Sequence, residues 1–313
     1  VSFLRGGTRP PTSVMVDYID QHRLEFGVES ICNELPIAPS TYHDFKRRQP
    51  SARAQRDAVM LPIVMALFVA NYRVYGARKL WIAAQRAGHD IGRDQVARLM
   101  TILDIHGATR RRKRVWTTRS DGSPRSPDLV ERNFTAQAPN ELWVTDLTYV
   151  PTWSGVAYVA FIVDVYSRMI VGWRVAAHMR TDMVLDALNM AAWNRGVDLA
   201  GLVTHSDAGS QFTSIRWTER VVEIGASPSI GSVGDSYDNA LAETVNGYYK
   251  AKLIYGPEQG PWKTVDEVEL ATLAWVHWHN TQRLHGYCGD VPPAEFEAAY
   301  AAQHTDQQLV GNQ

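Results

Sequence analysis

The chain is poor in cysteine, lacks any long apolar run and carries almost no net charge. Of 313 residues only Cys32 and Cys288 are thiols, which excludes a disulfide framework and suits a reducing compartment. No stretch has the charged, apolar and small-residue order of a secretory signal. The longest apolar run, Val59–Ala70, contains Pro62 and falls short of the ~20 apolar residues a membrane span needs. A buried or partner-facing helix is the expectation there, in a soluble intracellular protein without membrane attachment. What the chain does have is 10 Trp, 13 Tyr and 8 Phe, too many for a disordered polymer. At ~100–200 residues per domain its length predicts two or three domains with a sizeable core.

The formal net charge of -1 hides an asymmetry. Residues 1–140 hold 22 Lys and Arg against 13 Asp and Glu, whereas residues 141–313 hold 10 against 20. A polyanion-binding half is thus joined to a half with a different task.

There is no internal repeat. Residues 1–12 read as an irregular lead-in, and a start at Val rather than Met suggests a fragment, an alternative start or part of a fused reading frame. Helices are predicted over Val14–Phe26, Glu29–Glu34 and Tyr42–Arg48, the last capped by Ser40-Thr41. Residues 51–106 read as helical. One helix opens at Tyr75-Gly76-Ala77-Arg78 and stops at Gly88; after a short turn Arg93–Leu103 places Val96, Leu99, Met100 and Leu103 on one face. That is the outline of a helix-turn-helix and equally of any small helical hairpin. Its second helix offers only Arg93 and Arg98 as basic residues, thin for recognition of DNA. The run Arg110-Arg111-Arg112-Lys113-Arg114 follows, then a polar stretch that reads as a linker. A charge run is commonly a solvated tether, but beside a helix-turn-helix candidate it suits contact with phosphates.

From Glu141 the texture changes. Strands are predicted over Trp143–Val150, Val156–Val163 and Ile170–Val175, then a helix capped by Thr181 and running to about Arg195. A short strand Leu202–His205, a helix Ile215–Gly225 and a brief strand Pro228–Ile230 follow. A long helix is predicted from about Tyr237 to Leu253 and a final one over Val265–Asn280, with a frayed tail after Tyr300. Three antiparallel strands followed by αβαβα is the element order of a ribonuclease-H-like sheet, in which the first and fourth strands lie side by side.

That order gives meaning to three acids. Asp146 sits in the first strand among apolar residues, where a carboxylate is costly to bury without a partner or a metal. Asp207 follows the fourth strand and Glu243 lies on the long helix. If they converge, they form an oxygen-only ligand set of the kind that holds Mg²⁺ or Mn²⁺. Two such ions can activate an attacking oxygen and stabilise a leaving oxygen in phosphodiester displacement. Mutual repulsion is expected to raise at least one of their pKa values, so metal affinity should fall with pH. Asp164 reads as a turn residue, and Asp235 and Asp238 as acids at the start of the helix. His277, His279, His285 and Cys288 do not suggest zinc, since no paired Cys-x-x-Cys exists and the first two histidines point to different helix faces. His285 and Arg283 are expected to pack or to contact DNA, and His205 to be structural rather than a base.

The sequences around these acids are distinctive. Trp143-Val144-Thr145-Asp146-Leu147-Thr148-Tyr149, His205-Ser206-Asp207-Ala208-Gly209-Ser210-Gln211 and Tyr237-Asp238-Asn239-Ala240-Leu241-Ala242-Glu243 resemble the integrase-core transposases of bacterial insertion sequences. More narrowly they resemble the second-frame (OrfB) proteins of the IS-three family, within the retroviral-integrase superfamily. Thirty-five residues separate Asp207 from Glu243, the spacing for which that family's DDE triad is named. Tyr166-Ser167-Arg168, Asn280-Thr281-Gln282-Arg283-Leu284-His285 before Pro292-Pro293, and Val74-Tyr75-Gly76-Ala77-Arg78-Lys79 match as well, so the resemblance covers nearly the whole chain.

The resemblance implies that Asp146, Asp207 and Glu243 are catalytic metal ligands for two ions, and that Lys250, on the same helix face as Glu243, holds DNA near them. Lys252 stands where many relatives have an acid, a departure bearing on end contacts. The expected organisation is an N-terminal helical segment (1–49), a helix-turn-helix DNA-binding region (50–109) and a basic linker (110–140). An integrase catalytic core (141–300), a mixed five-stranded α/β ribonuclease-H-like sheet with flanking helices, and a tail (301–313) complete it. DNA contacts are expected from Lys250, Arg93, Arg98, Arg110, Arg111, Arg112, Lys113 and Arg114. The expected activity is cleavage at the ends of an insertion sequence and strand transfer through a circular intermediate. Expected partners are element ends, target DNA, further copies of this chain, and an upstream-frame (OrfA) partner or fusion. The expected place is the bacterial cytoplasm, at the nucleoid. Two other readings are a non-catalytic DNA-binding regulator from a decayed copy, and a nuclease acting on RNA–DNA hybrids.

Overall fold

The computed structural model describes residues 9–108, 126–130, 133–196, 199–207, 209, 211–231, 240–254 and 260–310. The chain forms two compact units that divide between Pro62 and Ile63. In the first, α1 (Thr12–Phe26), α2 (Val28–Glu34) and α3 (Pro39–Arg47) close around Met15, Val16, Ile19, Ile31, Cys32, Leu35, Ile37 and Tyr42. Gly27, at φ 74°, makes the break between α1 and α2 that an L-residue would resist. The predicted Ser40-Thr41 cap is not used. Pro39 starts α3 one residue earlier, its fixed φ suiting the first helical position. Tyr42 and Lys46 on α3 both donate to Asp20 on α1, at 2.8 and 2.7 Å.

The apolar run lies in α4 (Ala52–Ala70), with Pro62 inside the helix. Among the described residues no helix is long and apolar enough to cross a membrane. Helices α5 (Ala77–Arg86) and α6 (Arg93–Ile102) follow the predicted hairpin, turning at Gly88 with φ 83°.

The second unit is built on five strands: β1 (Leu142–Thr152), β2 (Gly155–Asp164), β3 (Ile170–Ala176), β4 (Val203–Ser206) and β5 (Ser227–Ile230). Their order is β3-β2-β1-β4-β5. The first three pair antiparallel, and β4 and β5 run parallel to β1. This is the ribonuclease-H-like arrangement predicted, with first and fourth strands adjacent. Helices α7 (Thr181–Arg195) and α8 (Ile215–Glu223) cover one face, where Trp143, Ala160, Ile162 and Val171 pack on Val184, Ala187, Leu188, Ala191, Trp217 and Val221. Helices α9 (Ala240–Tyr249) and α10 (Val265–Thr281) cover the other, where Phe161, Tyr249 and Trp275 form an aromatic cluster with centroids 5.1–5.7 Å apart.

Three helices depart from the sequence reading. The predicted long helix is regular only to Tyr249, then widens into a π-helical turn over Lys250–Ile254; its first predicted residues, 237–239, lie outside the described ones. The helix Thr181–Arg195 has no side-chain cap, because Arg180 and not Thr181 occupies the capping position. And Val265–Thr281 is not the last helix: α11 (Pro293–Val310) begins at Pro293 and continues past Tyr300. It is anchored by Arg195, which pairs with Glu297 and lies 3.5 Å from the fully buried Asp164, and by Tyr166, whose ring meets Phe296 and Tyr300.

Helix and sheet approach closely at Gly172 on β3. A Cβ there would stand 2.2 Å from the Ala187 carbonyl oxygen and 2.8 Å from the Ala191 methyl of α7. Gly172→Ala is therefore expected to destabilise the second unit by about 1–3 kcal/mol through overpacking. A fall in the urea midpoint without change of slope is the expected reading; an unchanged midpoint would contradict it.

Candidate active site

The β1–β4 ladder is short. Leu142–Thr145 pair with Val203–Ser206, and there β4 ends. The next residue on each strand is an acid, Asp146 and Asp207. On β1 the side chain of Asp146 shares a face with its cross-strand partner Phe161, the face that α9 covers. Helix α9 supplies Glu243 in its first turn and, one turn on, Asn246. Asn246 Nδ2 donates to Asp146 Oδ2 at 2.7 Å, while the Leu147 N–H donates to Asp146 Oδ1 at 2.8 Å. Asp207 Oδ1 accepts from the Gly209 N–H at 3.2 Å, and a Cβ on Gly209 would crowd that oxygen at 3.1 Å.

The electrostatics follow. Burial, then the charge of Asp207 and more weakly that of Glu243, raises Asp146 to about 7 despite its two hydrogen bonds. Asp207 reaches solvent at the rim yet is surrounded by enough protein to be raised by desolvation, against the Gly209 N–H and the nearby His205. Glu243, also exposed, is raised by desolvation and by the charge of Asp207. The three acids thus feel one another, as expected. They do not form a closed cage: among the described residues no three His, Cys, Asp or Glu side chains stand close enough to hold a metal ion. The donor set itself, carboxylates alone with their charges unbalanced, has the chemistry that suits a hard divalent cation.

Sequence reasoning passed over Asn246, although its spacing of three from Glu243 puts both on one helix face. Its Oδ1 is buried and, among the described residues, has no hydrogen-bond partner. The other singled-out residues are structural. His205 Nδ1 lies 2.9 Å from Ser229 Oγ, and its ring meets Phe134 edge-on. His279 is fully buried against the Arg168 carbonyl, 3.1 Å away, and Arg283 Nη1 lies 3.3 Å from its other nitrogen. His285 and Arg283 are buried too, so of the two expectations for them packing holds. Cys288 Sγ donates to the Ser167 carbonyl at 3.2 Å.

The helical hairpin is docked on the core. The Tyr75 hydroxyl accepts from the Leu284 N–H at 2.7 Å, and Lys79 Nζ donates to the Leu284 carbonyl at 2.8 Å. Arg78 pairs with Asp290 and Arg86 with Glu295. On α6, Arg93 is exposed beside Asp94 and Arg98 is half-buried. Lys250 Nζ lies 4.4 Å from the ring centroid of Tyr149. Arg110–Arg114 lie outside the described residues.

Comparison with known proteins agrees with this architecture. Residues 136–236 and 224–293 match two family models, each described as an integrase core domain, and residues 54–113 match one described as an HTH-like domain. The chain is 54% identical over 273 residues to the protein ascribed as transposase to insertion sequence element IS986/IS6110 of Mycobacterium tuberculosis, covering 86% of this chain and 98% of that one. It is 48% identical over 293 residues to the transposase for insertion sequence element IS629 of Shigella sonnei, covering 92% and 97%. It is 27% identical over 283 residues to transposase InsF for insertion sequence IS3A of Escherichia coli, covering 90% and 97%. The fold and its helical preface thus define an integrase-core polynucleotidyl transferase. Within that class the chain belongs to the insertion-sequence transposases of the IS3 type.

The raised Asp146 has a consequence for the metal-free protein. An unfolded Asp releases its proton near pH 4 and the folded Asp146 only near 7, so between these values the native state binds more protons and loses stability as pH rises. In chelator, the melting temperature should fall from pH 5 to pH 8, and Asp146→Asn should flatten that fall and melt higher than the parent at pH 8. A parallel pH profile for the two proteins would contradict this.

Proposed function

We propose that this chain is a DNA transposase in which Asp146, Asp207 and Glu243 hold two divalent cations, Mg²⁺ or Mn²⁺, at the ends of an insertion sequence. The observation that carries the reading is the termination of the β1–β4 ladder one residue before both aspartates, with α9 bringing Glu243 alongside. The cations, when bound, supply Lewis-acid activation of the attacking oxygen and charge stabilisation of the leaving oxygen. The protein's own groups do the rest. Asn246 holds Asp146 by its Oδ2 and leaves the second oxygen to the Leu147 N–H; the Gly209 N–H sets the orientation of Asp207.

In the first displacement water attacks the phosphodiester at the element end, the 3′ oxygen leaves, and a 3′-OH is freed. In the second that hydroxyl attacks another phosphodiester, one P–O bond forming as one breaks, with no covalent protein intermediate. Lys250 contacts DNA beside the acids. Arg93 and Arg98 on α6, with Arg110, Arg111, Arg112, Lys113 and Arg114, contact phosphates farther along. Two ends must be held at once, so the active form contains at least two copies of the chain on DNA, with an upstream-frame partner or fusion supplying further DNA binding. A circular DNA is the product of the first round of joining.

Circle formation in cells tests the reading. The chain is supplied with its flanking DNA ends and the upstream frame, against Glu243→Gln and Asp207→Asn, with the junction amplified by PCR. Circles from the parent and none from either variant are expected, with salt-sensitive binding to the ends retained by all three. Circles from the variants would overturn the site assignment. No circles from any, with binding retained, would favour a non-catalytic regulator.

Cation binding itself gives a second measurement. Carboxylates ligate only when deprotonated, and Asp146 holds its proton to about pH 7. Mg²⁺ should therefore raise the melting temperature more at pH 8 than at pH 6, and Asp207→Asn should lose most of the increment. An increment independent of pH, or intact in Asp207→Asn, would place the cation elsewhere.

A further inference from the structure

The contact between Asp146 and Asn246 is one rung between β1 and α9, and Lys250, in the π turn that follows α9, makes another on Tyr149. Tyr149 lies three residues beyond Asp146, about 10 Å along an extended strand. Lys250 lies just past the end of α9, one turn beyond Asn246 and two beyond Glu243. Between the rungs, among the described residues, no strand lies on the β4 side of β1, because β4 stops opposite Thr145. Successive side chains alternate, so Tyr149 leaves the sheet on the face opposite Asp146. The open edge is what allows Lys250 to reach its ring.

Tyr149 is no part of the core: it is 59% exposed, within a ten-residue ladder with β2. Four residues on, at the turn into β2, Trp153 is 72% exposed. That turn is held from outside the sheet, the Trp153 and Ser154 N–H groups each donating at 3.0 Å to the carbonyls of Trp262 and Lys263. The Lys263 side chain is exposed. Two exposed aromatic rings and two lysines thus line the open end of β1, starting about 10 Å from the acids. Interleaved rings and cations are what a single strand of nucleic acid needs, since every base has a π-face to stack and every link a phosphate to pair.

We propose that Tyr149, with Lys250 beside it and Trp153 beyond, is a stacking platform for unpaired bases of the DNA end whose phosphate reaches Asp146 and Asp207. The cation pairs with the backbone and the ring takes the base. This rests on the transposase function above, and it assigns Tyr149 a positioning role and not a chemical one.

The test uses the full chain and two forms of the element's terminal DNA, one fully paired and one with its last two nucleotides unpaired. Binding is read by fluorescence anisotropy across a range of salt, and strand transfer is read in parallel. Tyr149→Ala should bind the unpaired form about 10-fold more weakly, with the salt dependence unchanged, and should lose much less on the paired form. Tyr149→Phe, which keeps the ring, should stay within about 2-fold of the parent. Lys250→Ala should reduce the slope of log affinity against log salt by about one. Equal losses on the two DNAs, loss in Tyr149→Phe matching that in Tyr149→Ala, or no loss in Tyr149→Ala would each overturn the platform. If the parent, with the upstream frame supplied, proves inert in strand transfer while the Tyr149→Ala binding loss stands, the transposase chemistry fails and the platform survives. If the parent transfers strands and Tyr149→Ala binds as it does, the platform alone fails.

Discussion

Four residue pairs of parallel ladder govern the placement of the acids. Leu142–Thr145 and Val203–Ser206 satisfy one another's backbone groups, and β4 then ends with the chain leaving the sheet. Asp146 and Asp207 are the first residues past the common ladder, so one sheet edge delivers both carboxylates at the same level. A longer β4 would have covered the flank of β1 with backbone. A shorter one would have left the aspartates without a shared frame. Helix α9 lies across that boundary with Glu243 and Asn246 on one face, and the amide of Asn246 fixes the approach by its bond to Asp146. Desolvation and then repulsion concentrate on Asp146, the most enclosed of the three, and the fold tolerates a poorly charged carboxylate there.

Much of what surrounds this boundary is scaffolding built from residues that sequence patterns associate with function. Asp164 is fully buried and accepts from the N–H groups of Asn140, Tyr166 and Ser167. The Arg168 guanidinium lies 3.9 Å from the Tyr287 ring centroid. Asn280 acts as an edge strand in miniature, accepting from the Ile170 N–H and donating to the Ile170 carbonyl, both at 2.9 Å. Such side chains can be as restricted as chemical ones, because each closes a backbone group that would otherwise be buried unpaired.

The sheet was legible because its strands are short apolar or alternating runs divided by turns, and Trp143–Val150, Val156–Val163 and Ile170–Val175 each lie within an observed strand. The acids were legible as exceptions in apolar surroundings. Less visible were features settled at a distance. The π turn after Tyr249 has no local marker, since Lys250–Ile254 would suit a regular helix. A proline at the first helical position starts a helix as readily as it ends one, and Pro293 starts α11, which went unpredicted. Arg195 joins Asp164 and Glu297 across more than a hundred residues, and no window on the sequence contains all three. The docking of α5 on the core was invisible for the same reason, and it explains why Tyr75, Arg78 and Lys79 are tied to protein.

That docking bears on how the chain can be altered. The α5–α6 hairpin looks like a portable module, a compact helical pair that precedes the sheet in the sequence. Its inner surface is nevertheless completed by Leu284, Asp290 and Glu295, which lie some two hundred residues downstream. A hairpin transplanted from a relative would arrive with the wrong half of an interlock unless the 284–295 segment travelled with it. The inheritable unit is thus discontinuous, and recombination between relatives keeps it whole only when both pieces come from one parent.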